Sequence, residues 1–216
     1  MKFIPYSVYT GKENMQIDSD LLENAIKENS IEPIFRLYGW KPKCVSIGRN
    51  QKGNFVKEEF LKKYDIDVVK RLTGGRALLH DMELTYSYVC SVSSLKNGES
   101  VVESYKQISQ MFVDKFKKLG IDLTFGSQKH SNHNINYCMQ IATGADLCYQ
   151  GKKLIGSAQF RKDGYILQHG SILFDYDKEL LENLFDEKIN ADTITCIKEI
   201  NPNIKLSDII DLWGYD

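Results

Sequence analysis

The sequence predicts an α+β domain, with mixed or mainly antiparallel sheets flanked by helices. Three observations carry that reading. Strand-like and helix-like runs interleave irregularly, where a doubly wound fold would alternate them regularly. No Pro/Gly/Ser-rich linker, low-complexity tract or repeat divides the chain, so residues 1–216 read as one domain. The 216 residues are 42% hydrophobic and 26% charged with a net charge of −1, an ordinary globular balance. A chain of this size buries about 70% of its unfolded surface and needs no disulfide to fold.

The elements follow in order. Ile17, Leu21, Leu22, Ala25 and Ile26 fall on one helical stripe, with Asp18 and Ser19 as candidates for its cap. Ile34 to Tyr38 and Cys44 to Ile47 are short strand-like runs split by Pro42, so the helix is expected to precede a hairpin. A short helix over Val56 to Tyr64 leads to a strand at Val68 to Arg71, a turn at Thr73-Gly74-Gly75, and strands at Ala77 to His80 and Leu84 to Val92. The clearest helix is Val101 to Leu119. Ser100 to Glu103 forms a capping box, Val101, Tyr105, Ile108, Phe112, Phe116 and Leu119 keep helical spacing, and Gly120 supplies the stop. Strands are expected at Asp146 to Gln150, Leu154 to Gln159 and Tyr165 to Phe174, the last two joined by a turn at Arg161 to Gly164. Leu180, Leu181, Leu184 and Phe185 suggest one further helix, and Leu206 to Leu212 another, so residues 176–216 read as a helical extension.

Whole function classes fall away on composition and motif. No apolar stretch approaches the roughly 20 residues of a membrane span, and Gly11-Lys12-Glu13-Asn14 interrupts the N-terminus before any signal-peptide block, so a cytoplasmic protein without membrane contact is expected. Cys44, Cys90, Cys138, Cys148 and Cys196 are odd in number without CxxC spacing, which fits free thiols better than disulfides or zinc. His130 and His133 lie close together, but no Cys or carboxylate stands at ligand spacing, so the stretch reads as a polar loop and no metal is expected. GxxxxGK[ST], GxGxxG, HExxH and GxSxG are all missing. Residues 175–216 hold 11 acidic and 4 basic side chains, leaving 24 basic against 18 acidic (+6) on the body. That suits an acidic macromolecular partner, or simply a solvated acidic tail.

Three segments stand out because small or polar residues interrupt runs that would otherwise be bulky. Arg71 to Asp81 is a strand entering a Gly74-Gly75 turn with a basic exit and a His80-Asp81 end. Two glycines let backbone approach a ligand closely, although a plain hairpin turn looks the same. Gly151 to Gln159 sets Gly156, Ser157, Ala158 and Gln159 just after a basic tip, and Gln168-His169-Gly170-Ser171-Ile172 repeats the theme. Together they could line one cavity that an apolar chain would enter easily.

These three blocks, with Ile34 to Gly39 and Ser46 to Gln51, resemble the biotin/lipoate protein ligase and octanoyltransferase superfamily over roughly residues 15 to 175. The resemblance implies the catalytic-domain fold of that superfamily. Gly75-Arg76-Ala77 running into Leu79-His80-Asp81-x-Glu83-Leu84-Thr85-Tyr86-Ser87 resembles its cysteine-dependent octanoyltransferase branch. That branch places a nucleophilic cysteine fifteen residues before the lysine of the Gly-Lys-Lys block, and counting back from Lys153 lands on Cys138. Cys138 to Leu147 parallels the family's Cys-Phe-x-x-Pro-Ser-x-x-Glu-Leu, departing from it at Met139, Ala142 and Thr143.

The resemblance implies an acyltransferase that moves an octanoyl or lipoyl group from acyl carrier protein to a lysine of a lipoyl carrier domain, such as that of the glycine cleavage H protein. The group would pass through a Cys138 thioester with Lys153 beside the sulfur. Thioester exchange is nearly balanced in energy and the final amide is downhill, so no cofactor and no ATP are implied. Backbone amides at Gly156, Ser157 and Ala158 are candidates for an oxyanion site. An octanoyl tail burying roughly seven carbons at about 0.8 kcal/mol each would gain on the order of 5 kcal/mol. Thr73, Gly74, Gly75, His80, Gln159 and Gly170 are expected to belong to the substrate site. Arg71 and Arg76 remain open between pocket wall, carrier docking and solvated charge, and His169 between a carbonyl-orienting group and a satisfied core histidine. A monomer that binds no nucleic acid is expected. Gly48-Arg49-Asn50-Gln51 resembles the ATP-dependent lipoate ligases, the first alternative, although ligases usually carry a further C-terminal domain. A carrier-to-carrier lipoyl amidotransferase and a non-catalytic acyl-binding module are the others.

Overall fold

The computed structural model describes residues 1–52, 55–127 and 135–214. His130 and His133 lie outside them. Strand β1 (Lys2–Tyr9) opens the chain and has no counterpart in the sequence reading. It is part-exposed on both faces, contains Pro5 and slips register between Ile4 and Ser7, so it leaves no clean alternation to detect. Helix α1 (Gly11–Lys27) begins earlier than expected, and its cap is Thr10 in place of Asp18 or Ser19. The Glu13 N–H donates to Thr10 Oγ1 at 3.3 Å while the Thr10 N–H donates to the Glu13 carboxylate at 2.9 Å, a reciprocal capping box.

The expected hairpin of β2 (Ile34–Trp40) and β3 (Lys43–Ile47) does not form. The two strands part into different sheets. Each is buried through its centre, and each finds a neighbour on both edges. β2 lies between β1 and the antiparallel β6 (Glu83–Ser91), whereas β3 lies between the parallel β4 (Ile66–Lys70) and the antiparallel β5 (Leu78–His80). Helix α2 (Glu58–Lys63) precedes β4, and α3 (Val101–Lys117) follows β6 with its predicted Ser100 cap. After β7 (Thr124–Phe125) and β8 (Leu147–Tyr149) come β9 (Lys152–Lys162) and β10 (Tyr165–Leu173). Asp163 and Gly164, both at positive φ, join these two as the predicted hairpin. The large sheet runs β1-β2-β6-β10-β9-β8-β7, and the small one β4-β3-β5. Helices α4 (Lys178–Phe185), α5 (Ile197–Ile200) and α6 (Leu206–Asp211) complete the α+β architecture. No helix among the described residues is long and apolar enough to cross a membrane.

Two cores position the site. Ile108, Phe112 and Phe116 of α3 pack on the large sheet against Phe35, Tyr86 and Trp213. The small sheet, through Val45, Ile66, Leu78 and Leu79, packs on Leu180, Leu181 and Leu184 of α4, with Tyr137 and Met139 buried between them. Both immediate neighbours of Cys138 are therefore core residues. The stretch after residue 175, read from the sequence as a helical extension, supplies one wall of that core.

Beneath α1 lies a buried polar cluster. Asp18 pairs with Arg36 at 3.0 Å, each side chain 1% exposed, and accepts the Tyr38 hydroxyl at 2.8 Å. Asn14 accepts from Arg36 and donates to Gly39 O, so one turn of α1 is bolted to β2. Burial pushes the Asp18 carboxyl up, but His169, Arg36 and Tyr38 outweigh it and hold its pKa below the ordinary value. Asp18→Ala leaves a buried guanidinium without its counter-ion and is expected to lose about 3 kcal/mol in urea unfolding. Because the folded pKa is depressed, the Asp18 contribution is fully present above about pH 4 and is lost as the pH falls below it. Acid titration of the two proteins should therefore converge at low pH.

Candidate active site

Cys138 opens a single 3₁₀ turn, Cys138–Gln140, whose frame is fixed from several sides. The Cys138 N–H donates to Ala77 O at 2.8 Å. The Glu187 carboxylate accepts the Asn136 and Tyr137 N–H groups at 2.8 Å each and the Gln140 amide at 2.9 Å. Of the five cysteines, Cys138 alone is not buried. Burial pushes the Cys44 thiol up to about 12 and those of Cys90 and Cys196 up to about 11, so these three stay protonated near neutrality.

Lys153, on the opening of β9, sends its side chain back under that turn and is 1% exposed. Its Nζ donates to Cys138 O at 3.0 Å and Ile141 O at 2.9 Å, pairs with Asp146 Oδ2 at 3.1 Å, and stands 3.8 Å from Cys138 Sγ. Burial alone would lower the Lys153 pKa, and electrostatic interaction with Cys138 and Asp146 outweighs it, so the pKa is raised and the group is an ammonium. Its backbone is clamped as well. The Lys153 N–H donates to Thr193 O and the Thr195 N–H to Lys153 O, at 2.9 and 3.0 Å. Gly156 makes room for it, since a Cβ there would stand 2.9 Å from Lys153 Cε and 3.1 Å from Met139 Sδ.

Cys138 faces a cleft with about 450 Å³ of free space, open to solvent at its mouth. The three segments singled out in the sequence meet there. Gly75, Arg76 and His80 come from the first, Gly156, Ser157 and Ala158 from the second, and His169 and Gly170 from the third. β9–β10 pairing sets Gly170 opposite Ser157 and His169 opposite Ala158. Gly75 takes φ +88°, which a side chain would strain. Three expected residues stand outside the lining. Thr73 lies behind it, sharing a 2.6 Å hydrogen bond with His169 Nε2, while Gly74 and Gln159 border a neighbouring surface cleft.

Several of these groups are already committed to the fold. Arg71 is buried, and its guanidinium donates to Ser46 O, Gly74 O and Arg76 O, bracing the Gly74-Gly75 loop while it lines the cleft. His169 has both ring nitrogens engaged, Nε2 with Thr73 and Nδ1 with Asp18 at 3.3 Å. His80 bonds Ser46 and Glu83, and burial, against the pull of Glu83, lowers its pKa. The Ser157 N–H donates to Asp146 Oδ1 at 3.2 Å. The alternation of an antiparallel ladder turns the Gly156 and Ala158 amides toward β10. Asp146 and Glu187 were not singled out in the sequence. The first stands where the family pattern has its acidic residue, while the second gives no local signal. Among the described residues no cluster of His, Cys, Asp or Glu is arranged to hold a metal ion.

The family described as lipoyl protein ligase A/B catalytic domain matches residues 10–213. The chain belongs to this family. It is the superfamily that the three motif blocks resemble. The octanoyltransferase LipM of Geobacillus kaustophilus is 41% identical over 180 residues, covering 80% of this chain and 64% of that protein. The Bacillus subtilis octanoyltransferase LipM is 40% identical over 182 residues with the same coverage. The chain thus spans about two thirds of the length of these relatives. Lipoate-protein ligase A bound with ATP superposes at a TM-score of 0.76 with 21% identity, covering 98% of this chain and 81% of that one. A bipartite lipoate protein ligase of Thermoplasma acidophilum gives 0.71 with 20% identity, covering 98% and 80%. At that identity the likeness establishes the shared fold.

Exposure and the adjacent ammonium distinguish Cys138 from the other thiols. Iodoacetamide at neutral pH is expected to label Cys138 first, and Lys153→Met to slow that labelling about tenfold, read by peptide mapping on protein shown to be folded by circular dichroism.

Proposed function

We propose that this chain moves an octanoyl group from the thioester of acyl carrier protein onto Cys138, and from there to the ε-amine of a lysine on a lipoyl carrier domain. The observation that carries the reading is the buried Lys153 ammonium 3.8 Å from the sulfur of the one cysteine that is not buried, at the edge of a cleft. The octanoyltransferase names of relatives near 40% identity support it. Three nearer oxygens occupy the three N–H bonds of the ammonium, so Lys153 acts on the sulfur as a fixed positive charge that stabilises its anionic form.

In the first step the Cys138 sulfur attacks the thioester carbonyl, a C–S bond forms, and the carrier thiolate leaves with the electron pair of the broken C–S bond. Nothing is oxidised or reduced. In the second step the neutral lysine amine attacks the Cys138 thioester, a C–N bond forms, and the departing Cys138 sulfur takes up the proton that the amine releases. Neither step consumes a nucleotide. The saturated hydrogen bonding of Lys153 also speaks against the ligase alternative, in which this lysine would need a free donor for an acyl-adenylate phosphate.

Intact-protein mass spectrometry after mixing with octanoyl-acyl carrier protein, without nucleotide, tests the reading. A hydroxylamine-labile octanoyl adduct is expected on the natural sequence and not on Cys138→Ala. Carrier modification that requires octanoic acid and ATP, with no adduct on Cys138, would replace it with the ligase.

A further inference from the structure

The Cys138 cleft has a neighbour. A groove with about 770 Å³ of free space, open to solvent, runs between α1 and β4. Its walls mix the apolar side chains of Val69 and Leu72 with the polar ones of Lys12, Gln16, Asp18, Ser19 and Lys70, beside the buried Leu167. Only two residues line both spaces, Met15 and His169. They stand in the partition between them, beside Arg71 and the Tyr38–Asp18 pair.

The two halves of that partition differ in freedom. His169 is held at both ring nitrogens, by Thr73 and by Asp18. The large aromatic walls of the cleft are held too. The Tyr38 hydroxyl donates to Asp18 at 2.8 Å, and Trp40 donates from Nε1 to Thr85 at 2.7 Å while stacking on the His80 ring at 3.9 Å. Met15 sits on α1 next to the anchored Asn14, so its backbone is fixed, but its side chain is half-buried and has no group that could be tied in place. An unbranched thioether with three rotatable bonds is the most adaptable apolar wall a protein can build.

We infer that Met15 is the specificity-determining residue for acyl chain length. It closes the cleft behind an eight-carbon tail and, when shortened, opens it into the groove beyond, whose apolar surface is Val69 and Leu72. This inference rests on the acyl-transfer reading for its substrate. A tail longer than the cleft must either displace the Met15 side chain or fold back, whereas a small residue at position 15 would let the added methylenes run on against Val69 and Leu72. A partition of one flexible side chain sets a soft limit, so discrimination per methylene should fall below the roughly tenfold that a rigid apolar pocket achieves.

The test compares the natural sequence with Met15→Ala and Met15→Phe in two assays on the full chain. The first measures the rate of Cys138 acylation by octanoyl-, decanoyl- and dodecanoyl-acyl carrier protein. The second titrates octanoic and dodecanoic acids against tryptophan fluorescence, for which Trp40 in the cleft wall is the reporter. Met15→Ala is expected to raise the dodecanoyl-over-octanoyl ratio about tenfold in both assays, and Met15→Phe to lower the decanoyl-over-octanoyl acylation ratio. Ratios unmoved by either variant would overturn the inference. If no acyl chain is transferred to Cys138, the transfer reading fails, while the fatty-acid ratios still decide whether Met15 is the partition. If Met15→Ala does not fold, Met15→Phe alone decides.

Discussion

The arrangement of the site depends on one buried ammonium. Removing a lysine head group from water costs several kcal/mol unless its charge and its three N–H bonds are all compensated. Asp146 supplies the charge, and the carbonyls of Cys138 and Ile141 take the remaining donors. Two of those three partners are backbone atoms of the segment that carries Cys138. Solvating the ammonium and shaping the Cys138 turn are therefore a single requirement, and the sulfur is placed beside the charge as a consequence.

The same requirement explains why distant parts of the chain converge here. Lys153 can stay buried only if its strand does not fray, and residues Thr193 to Thr195 pair with its backbone to ensure that. The Cys138 turn can follow Lys153 only if its outer face is satisfied, which Glu187 does with three hydrogen bonds. The small sheet and α4 then bury Tyr137 and Met139 on either side of the cysteine. The acidic segment after residue 175 is thus a structural wall of the site, although its charge pattern reads as a solvated tail.

What was legible in the sequence follows from whether the cause is local. Helix α3 announces itself through its Ser100 cap, its apolar stripe and its Gly120 stop, and the β9–β10 hairpin through its Asp163-Gly164 turn, because each signal lies within the element. The pairing partners of β2 and β3 are set by strands tens of residues away, so adjacency in sequence pointed to a hairpin that does not exist. Asp18 suggested a cap because acidic residues favour helix starts, whereas its actual partner, Arg36, lies across the α1–sheet interface. The adjacency of Cys138 and Lys153 was legible through family spacing alone. Asp146 stands at the acidic position of the family pattern, whereas Glu187 acts through tertiary contacts that no local pattern encodes.

The departures around Cys138 can now be weighed physically. The family pattern has a proline where this chain has Ala142, and a proline stiffens a loop by fixing one backbone angle. Here the loop is held without it. Lys153 fixes the carbonyl of Ile141, the residue before Ala142, while both the N–H and the hydroxyl of Thr143, the residue after it, donate to Asp146 Oδ2 at 2.7 and 2.9 Å. Asp146 in turn pairs with Lys153 and accepts the Ser157 amide. The residues on either side of the missing proline are therefore tied to the same ion pair. Rigidity that a ring would provide locally is supplied by charge, which makes the geometry of the Cys138 turn more dependent on Asp146 than a proline-containing loop would be.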